Sequence, residues 1–169
     1  YGFPGTLCVS IDDEVVHGIP SNRVLKEGEI IGIDVGSIYD DFYGDHAKTF
    51  PVGKISNEKR KLLEITKESL MLGIAEVKVN AKIGNIGCKI QNFVEKNGFS
   101  VVRELVGHGI GRKLHEEPQV PNFGKFNEGP LIEDGLCLAI EPMINMGSYE
   151  VHTKEDNWTV CTVDGLPSA

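Results

Sequence analysis

The sequence predicts an α+β fold in which two helices pack on one face of a mainly antiparallel sheet. Two observations support this class. Patterns typical of β-strands fill the first third of the chain, two stretches with helical periodicity follow, and strand patterns return in the last third. The chain also has 169 residues, of which 40% are hydrophobic, and this is enough for one sizeable core. We therefore expect residues 1–169 to form a single domain.

Four strands are predicted in the first third of the chain, at residues 6–11, 14–19, 30–36 and 39–50. The turn-forming pair Glu27-Gly28 introduces the third of them. Four further strands are predicted after the helices, at residues 100–105, 136–144, 149–153 and 159–163.

The first helix is predicted to run from Ser56 or Asn57, which can cap it, to about residue 77, with Glu58 at its positive end. Its apolar stripe is expected at Leu63, Leu70, Ile74 and Val77.

A second helix is predicted from about residue 83 to a C-cap at Gly98. Its apolar face is expected at Ile86, Ile90, Phe93 and Val94.

The charge balance limits the partners of the chain. Its 17 basic and 25 acidic residues give a net charge of −8, which disfavours direct binding to nucleic acid or to anionic membranes and attracts cations. The chain contains no stretch of about 18 apolar residues, so no membrane-spanning helix is expected. The four cysteines form no C-x-x-C pair, and we expect them to be small buried hydrophobic residues in a reducing compartment.

Two aspartates occur in unusual strand positions. Asp34 interrupts the apolar run Ile30-Ile31-Gly32-Ile33, and burying a bare carboxylate is costly unless the group is paired or bound to a metal. Asp45 lies eleven residues later on the neighbouring predicted strand, so the two side chains can converge. A salt-bridged Asp34 with an exposed Asp45 in a turn explains this pair equally well.

A histidine and a glutamate repeat this signal further along. His108 lies between Gly107 and Gly109, which leave room for a close approach to its ring. Glu141 interrupts a second apolar run that ends at Pro142. Together with the two aspartates, these residues provide the ligand types of a hard or borderline divalent cation.

Seven short motifs follow one another along the chain, namely Val16-His17-Gly18-Ile19-Pro20, Ile33-Asp34-Val35, Gly44-Asp45, Gly107-His108-Gly109-Ile110-Gly111, His115-Glu116-Glu117-Pro118, Glu141-Pro142-Met143 and Trp158-Thr159. In order and spacing they resemble the type I methionine aminopeptidases of the M24 metallopeptidases. The resemblance covers essentially the whole chain. It implies a pita-bread fold, in which two pseudo-symmetric halves surround a curved sheet with helices on its outer face.

The same resemblance implies an activity and its partners. It describes a cytoplasmic, monomeric hydrolase that removes the N-terminal methionine of nascent polypeptides with a small second residue, with the ribosome as a further expected partner. The cofactors would be two divalent ions of Mn, Fe, Co or Zn, and the sequence does not distinguish among these metals.

Roles for individual residues also follow from the resemblance. Asp34 would bind the second metal, Asp45 would bridge both, and His108 and Glu141 would bind the first, with Glu141 also transferring protons. His17 would lie near the scissile amide nitrogen and His115 near the carbonyl oxygen. The pocket for the methionine side chain would be formed by Phe3, Cys8, Leu114 and Trp158.

The chain departs from the family pattern at both ends. An N-terminal extension is expected before Tyr1, and a strand with the fifth metal ligand, a glutamate, is expected after Ala169. The chain is then either a fragment of a longer polypeptide or a truncated product with impaired activity. In the second case we expect it to hold at most one metal tightly.

Two other functions compete with the aminopeptidase. A prolidase or Xaa-Pro aminopeptidase shares the G-H-G-I-G and His-Glu-x-Pro elements, although the motifs at Glu141 and Trp158 favour methionine. A non-catalytic peptide-binding module on the same fold would account for a missing fifth ligand. The metal content of the purified protein distinguishes these classes.

Overall fold

The computed structural model describes residues 2–169, which form eleven strands and two helices. The elements in chain order are β1 Cys8–Ile11, β2 Glu14–Val16, β3 Ile30–Tyr39, β4 Phe42–Pro51, α1 Asn57–Ala75, α2 Ile83–Lys96, β5 Ser100–Val101, β6 Gly107–Gly109, β7 Glu116–Val120, β8 Leu138–Ala139, β9 Ile144–Asn145, β10 Val151–Thr153 and β11 Val160–Thr162. Every strand pair among these residues is antiparallel. The predicted α+β class is therefore confirmed.

A long hairpin dominates the first sheet, whose strand order is β1-β3-β4. Its two strands pair from Ile30↔Pro51 to Tyr39↔Phe42 and are closed by Asp40 and Asp41. Both aspartates have positive φ, 49° and 62°, as a two-residue hairpin turn requires. The prediction that the strand beginning at residue 30 ends at residue 36 was wrong, since β3 continues to Tyr39. The chain turns at Asp40 and Asp41, which both adopt the left-handed conformation, and not near Gly36.

The second half of the chain, together with β2, forms three smaller sheets, ordered β7-β6-β8, β10-β11-β2 and β5-β9. The single strand predicted at 136–144 was wrong, since β8 and β9 belong to different sheets. Pro142 lies between them and cannot donate a ladder hydrogen bond. Strands β6 and β7 were not predicted, because glycine and proline are depleted in strands.

Helix α1 begins as predicted, with the Ser56 side chain accepting a hydrogen bond from the backbone N of Lys59 at 3.2 Å. Its predicted apolar stripe was only partly right, because Leu63 is half-buried and packs against the core, but the stripe as a whole is not the buried face. The buried residues are Leu62, Ile65, Ser69 and Gly73. By contrast, 43% of Ile74 and 37% of Val77 are exposed.

The reason for the error is the contact between the two helices. A Cβ atom on Gly73 would lie 2.8 Å from Cδ1 of Ile90 on α2, so α1 approaches α2 through small residues. A stripe defined by large apolar residues alone therefore misses Ser69 and Gly73, the small residues of the buried face.

Helix α2 follows the prediction closely. Ile86, Ile90 and Val94 are fully buried, and Phe93 packs against the same core. The helix cap is Asn97, and Gly98 follows it with a φ of 85°, the left-handed conformation that commonly ends a helix.

The cysteines correct a further expectation. All four are free, but only Cys161 is buried, while Cys8 and Cys88 are half-buried and Cys137 is exposed. In residues 2–169 neither helix is long and apolar enough to cross a membrane.

Candidate functional site

The β3–β4 hairpin places two carboxylates on one face. Asp45 pairs with Gly36, and Asp34 lies two residues before Gly36, so both side chains point the same way. The two carboxyl groups are close enough to interact, and a hydrogen bond between them would need one shared proton. Burial, followed by the charge of Asp45 and then hydrogen bonding to its side chain, raises the pKa of Asp34 to about 6. The sequence-predicted convergence of the two aspartates is thus observed as a direct contact.

His108 occupies the middle of β6, with β7 on one side and β8 on the other. The glycines beside it permit this position, since a Cβ on Gly107 would overlap the carbonyl oxygen of Ala139, and one on Gly109 would overlap that of Glu117. The backbones of the neighbouring strands therefore occupy the space that side chains at Gly107 and Gly109 would need, one on each side of His108.

The ring of His108 has a defined orientation. Its Nδ1 lies 2.8 Å from the carbonyl oxygen of Gly109, and because that oxygen can only accept, Nδ1 carries a hydrogen. Its Nε2 then faces Oδ2 of Asp45 and Oε1 of Glu141, each at 3.5 Å. A backbone contact of this kind fixes the orientation of a metal-binding histidine.

Glu141 follows β8 and completes the group. Burial, followed by the negative charges of Asp45 and Asp34, raises the pKa of its carboxyl group to about 8. One ligand atom from each of Asp45, His108 and Glu141 lies within 4.8 Å of the other two. Asp34 is outside this trio but adjoins it through Asp45.

The chemistry of these donors fits a divalent cation. The carboxylates of Asp45 and Glu141 lie 3.5 Å from one imidazole nitrogen, with Asp34 beside them, and burial together with the neighbouring negative charges raises the pKa values of Asp34 and Glu141. Carboxylate oxygen and imidazole nitrogen are the ligands that hard and borderline divalent ions prefer.

The carboxylates open into a cavity of about 990 Å³. All of the site residues predicted from the sequence line it, namely Phe3, Cys8, His17, Asp34, Asp45, His108, Leu114, His115, Glu141 and Trp158. The individual roles of these residues stay predictions.

Two histidines flank the carboxylates. His17 follows β2 with a φ of 57°, and burial, followed by the charge of His115, lowers its pKa. The ring centroid of His115 is 4.3 Å from that of His108, with the two planes at 75°. Burial and then the charge of His108 lower the pKa of His115, and Asp45 partly opposes this shift. Both rings therefore favour the neutral form, which can donate or accept a hydrogen bond.

Part of the cavity lining is apolar. The rings of Phe3 and Trp158 meet edge to face, with centroids 5.3 Å apart. Cys8 pairs with Asp34 in the β1–β3 register, and burial, followed by the charges of Asp34 and Asp45, raises the pKa of its thiol to about 11. Cys8 is therefore a neutral thiol at physiological pH. Leu114 lies against the β3–β4 hairpin, where its Cδ1 would be 3.8 Å from a Cβ atom on Gly36.

Several residues of the site were not found from the sequence. Gln119 pairs with His108 across the β6–β7 ladder and lines the cavity, as do Lys113 and Met143. Asn122 is fully buried and donates a hydrogen bond to the backbone carbonyl of Glu141 at 3.0 Å. The sequence contains no periodic or charge signal that marks these positions. His46 and His152 are both exposed.

Comparison with known proteins identifies the family. Residues 1–162 match the model of metallopeptidase family M24. The chain is 55% identical to methionine aminopeptidase 1 of Bacillus subtilis over 168 residues, which are 99% of this chain and 68% of that protein. It also superimposes on the crystal structure of methionine aminopeptidase from Rickettsia prowazekii, with a TM-score of 0.97, 42% identity, and coverage of 99% of this chain and 68% of the other.

A more distant likeness concerns the fold alone. The prolidase from Pyrococcus furiosus matches 93% of this chain and 44% of its own, with a TM-score of 0.75 and 19% identity. The pita-bread architecture shared by these structures confirms the fold expected from the motifs. The chain belongs to metallopeptidase family M24 and to its methionine aminopeptidases, the metal-dependent hydrolases that remove N-terminal methionine.

Proposed function

We propose that Asp45, His108 and Glu141 hold one divalent cation and that Asp34 and Asp45 hold a second one beside it. The observation that carries this proposal is the orientation of His108. Its Nδ1 hydrogen is engaged by Gly109, so Nε2 is the ring nitrogen that is left to face the two carboxylates, at 3.5 Å from each. A cation bound between Nε2 of His108 and the two carboxylates would offset the repulsion between the carboxylate charges.

The second position has fewer ligands. Only Asp34 and the shared Asp45 supply it among residues 2–169, so we expect it to bind its ion more weakly than the first. The donor set suits Mn, Fe, Co or Zn.

Glu141 and the two histidines, His17 and His115, would act on the bound peptide. When bound, the divalent ions acidify water and polarise the carbonyl of the first peptide bond. Glu141 accepts a proton from the attacking water and returns one to the departing amide nitrogen. His115 donates a hydrogen bond to the carbonyl oxygen as negative charge develops there, and His17 contacts the amide nitrogen. The lowered pKa values of both histidines support neutral rings in these roles.

The apolar part of the cavity receives the methionine side chain. Phe3, Trp158, Cys8 and Leu114 present aromatic, thiol and aliphatic surfaces, which suit a flexible thioether. We propose peptides with an N-terminal methionine and a small second residue as substrates. Residues from Phe3 to Trp158 line the same cavity, which supports a single catalytic domain spanning residues 1–169.

The cellular setting is proposed from the family. The protein would act in the cytoplasm, as a monomer, on chains that emerge from the ribosome. Its charge of −8 supports the view that it does not bind nucleic acid directly.

The test is hydrolysis of Met-Ala-Ser by protein supplied with Mn²⁺ or Co²⁺ after removal of metals by EDTA. We expect cleavage only after metal is restored, no cleavage of Leu-Ala-Ser at comparable rates, and loss of activity in Asp45→Asn. Metal-independent cleavage would contradict the proposed site. Preferred cleavage of Ala-Pro would instead favour the prolidase alternative, and tight metal binding without hydrolysis of either peptide would favour a binding module.

A further inference from the structure

The backbone that carries Glu141 lies between two sheets. Strand β8 ends at Ala139 and pairs with β6, whereas β9 begins at Ile144 and pairs with β5. Residues 140–143 therefore belong to neither ladder. Pro142, which follows Glu141, has no N–H to contribute a hydrogen bond. Glu141 thus stands outside both ladders, and the segment is held at its C-terminal end, where the carbonyl of Met143 accepts a hydrogen bond from the backbone N of Val102 at 3.0 Å.

The side chain of Asn122 adds a contact to the backbone of Glu141 itself. Its Nδ2 donates to the carbonyl oxygen of Glu141 at 3.0 Å. Strands β7 and β8 both run antiparallel to β6, so their C-terminal ends lie at the same edge of this sheet. Asn122 stands two residues beyond the end of β7, and Glu141 stands two residues beyond the end of β8. The side-chain amide of Asn122 therefore links the chain after β7 to the chain after β8. The link lies just beyond the N-terminal end of β6, the central strand that carries His108.

This contact is a poor way to gain stability. Asn122 is completely buried, yet its Oδ1 has no hydrogen-bond partner within residues 2–169. Leaving a buried acceptor unsatisfied costs at least as much free energy as a single hydrogen bond contributes. Asn145 is equally buried, but both ends of its amide are satisfied, by the carbonyl of Ser148 and the hydroxyl of Ser168. The difference suggests that the amide of Asn122 is retained for what it positions.

We infer that Asn122 is a positioning residue that fixes the backbone of Glu141, so that the carboxylate of Glu141 stays aligned with Nε2 of His108 and with Asp45. The inference rests on the proposed metal site. Without the amide, the backbone of Glu141 loses the hydrogen bond to its carbonyl oxygen, and the carboxylate can shift with that backbone.

The test compares Asn122→Ala with Asn145→Ala, because each variant removes a fully buried asparagine whose Nδ2 donates to a backbone carbonyl. Three quantities are measured, namely the thermal midpoint, the affinity for Mn²⁺ by titration calorimetry, and kcat and KM for Met-Ala-Ser. Both variants should lower the thermal midpoint. Only Asn122→Ala should weaken Mn²⁺ binding and lower kcat, each by about 10-fold, with KM changed less than about twofold. Asn122→Leu, which removes the same donor while keeping a similar side-chain volume, provides the same comparison if the alanine variant does not fold.

The outcomes separate the two hypotheses. Equal Mn²⁺ affinity and kcat in the Asn122 and Asn145 variants would overturn the positioning role while leaving the metal site intact. Wild-type protein that neither binds Mn²⁺ nor cleaves the peptide would refute the proposed function itself, and the inference with it. A loss of Mn²⁺ affinity and kcat confined to the Asn122 variants supports both.

Discussion

Nε2 of His108 and Oε1 of Glu141 lie 3.5 Å apart, although the hydrogen on the other ring nitrogen of His108 is engaged by the Gly109 carbonyl. When the imidazole is neutral, Nε2 in this orientation offers only a lone pair to the carboxylate. The arrangement therefore supports the proposal that the two groups are joint ligands of a cation. Their elements explain the distance, since β6 and β8 are adjacent and pair His108 with Ala139, two residues before Glu141.

His115 should contribute to turnover and not to metal binding. It lines the cavity beside His108 but does not belong to the trio of ligand atoms. We expect His115→Ala to lower kcat about 100-fold, because it removes a donor to the developing oxyanion. Mn²⁺ affinity should change less than about twofold. Parallel losses of affinity and kcat would show that His115 is a ligand. His152→Ala, which alters an exposed histidine outside the cavity, is the control.

The apolar part of the cavity should determine recognition of the methionine side chain. Trp158→Ala removes the ring that meets Phe3 edge to face. We expect kcat/KM for Met-Ala-Ser to fall about 10-fold, chiefly through KM, because the lost contact holds the side chain in ground and transition states alike. Phe126→Ala removes an aromatic ring that is 65% exposed and should leave both constants unchanged. An unaltered KM in Trp158→Ala would argue against this location of the pocket.

The stability of the metal-free protein should depend on pH through Glu141. The pKa of this group is raised from 4.5 to about 8, so between these values the folded state binds more protons than the unfolded state, and stability falls as pH rises. The lowered pKa values of His17 and His115 act in the opposite direction, with effects confined to pH values around or below 6.5.

The measurement is urea unfolding in EDTA between pH 7 and pH 8. We expect the free energy of unfolding to decrease with pH in wild type and to be nearly flat in Glu141→Gln, which cannot ionise. Saturating Mn²⁺ should remove the decrease in wild type, because a bound cation compensates the carboxylate charge. The same slope in Glu141→Gln and wild type would show that another group is responsible.

The contact between the helices predicts the effect of one substitution on stability. Alanine is favoured over glycine by about 1 kcal/mol inside a helix, but overpacking a core costs about 1–3 kcal/mol. A Cβ on Gly73 would lie 2.8 Å from Cδ1 of the fully buried Ile90. We expect Gly73→Ala to destabilise the protein by about 1 kcal/mol in urea unfolding. Combining it with Ile90→Val, which removes Cδ1, should cost less than the sum of the two single changes. Strict additivity would contradict this contact.

Local signals in the sequence predict much of the fold. Ser56 caps α1 because its side chain reaches an N–H three residues away, and the face of α2 is apparent because its buried residues are all large and apolar. The buried face of α1 could not be predicted this way, since Ser69 and Gly73 are chosen for the close approach of α2.

The residues of the site were also only partly predictable from the sequence. Asp34 and Glu141 stand out because a carboxylate in an apolar strand is costly, and His108 stands out through its glycines. Asn122 does not, because its partner is a backbone carbonyl 19 residues away and no side-chain pattern encodes that contact. The position of Asp45 relative to Asp34 likewise depends on a hairpin turn at Asp40 and Asp41 that the sequence alone placed too early.

The most direct test of the account is the binding of Mn²⁺ to wild type, His108→Ala and the control His152→Ala, followed by electron paramagnetic resonance of the free ion. The central claim is that His108, Asp45 and Glu141 jointly hold a divalent cation. Wild type and His152→Ala should bind at least one Mn²⁺ tightly with the same affinity, and His108→Ala should bind it at least about 10-fold more weakly. Equal affinity in all three proteins would contradict the claim.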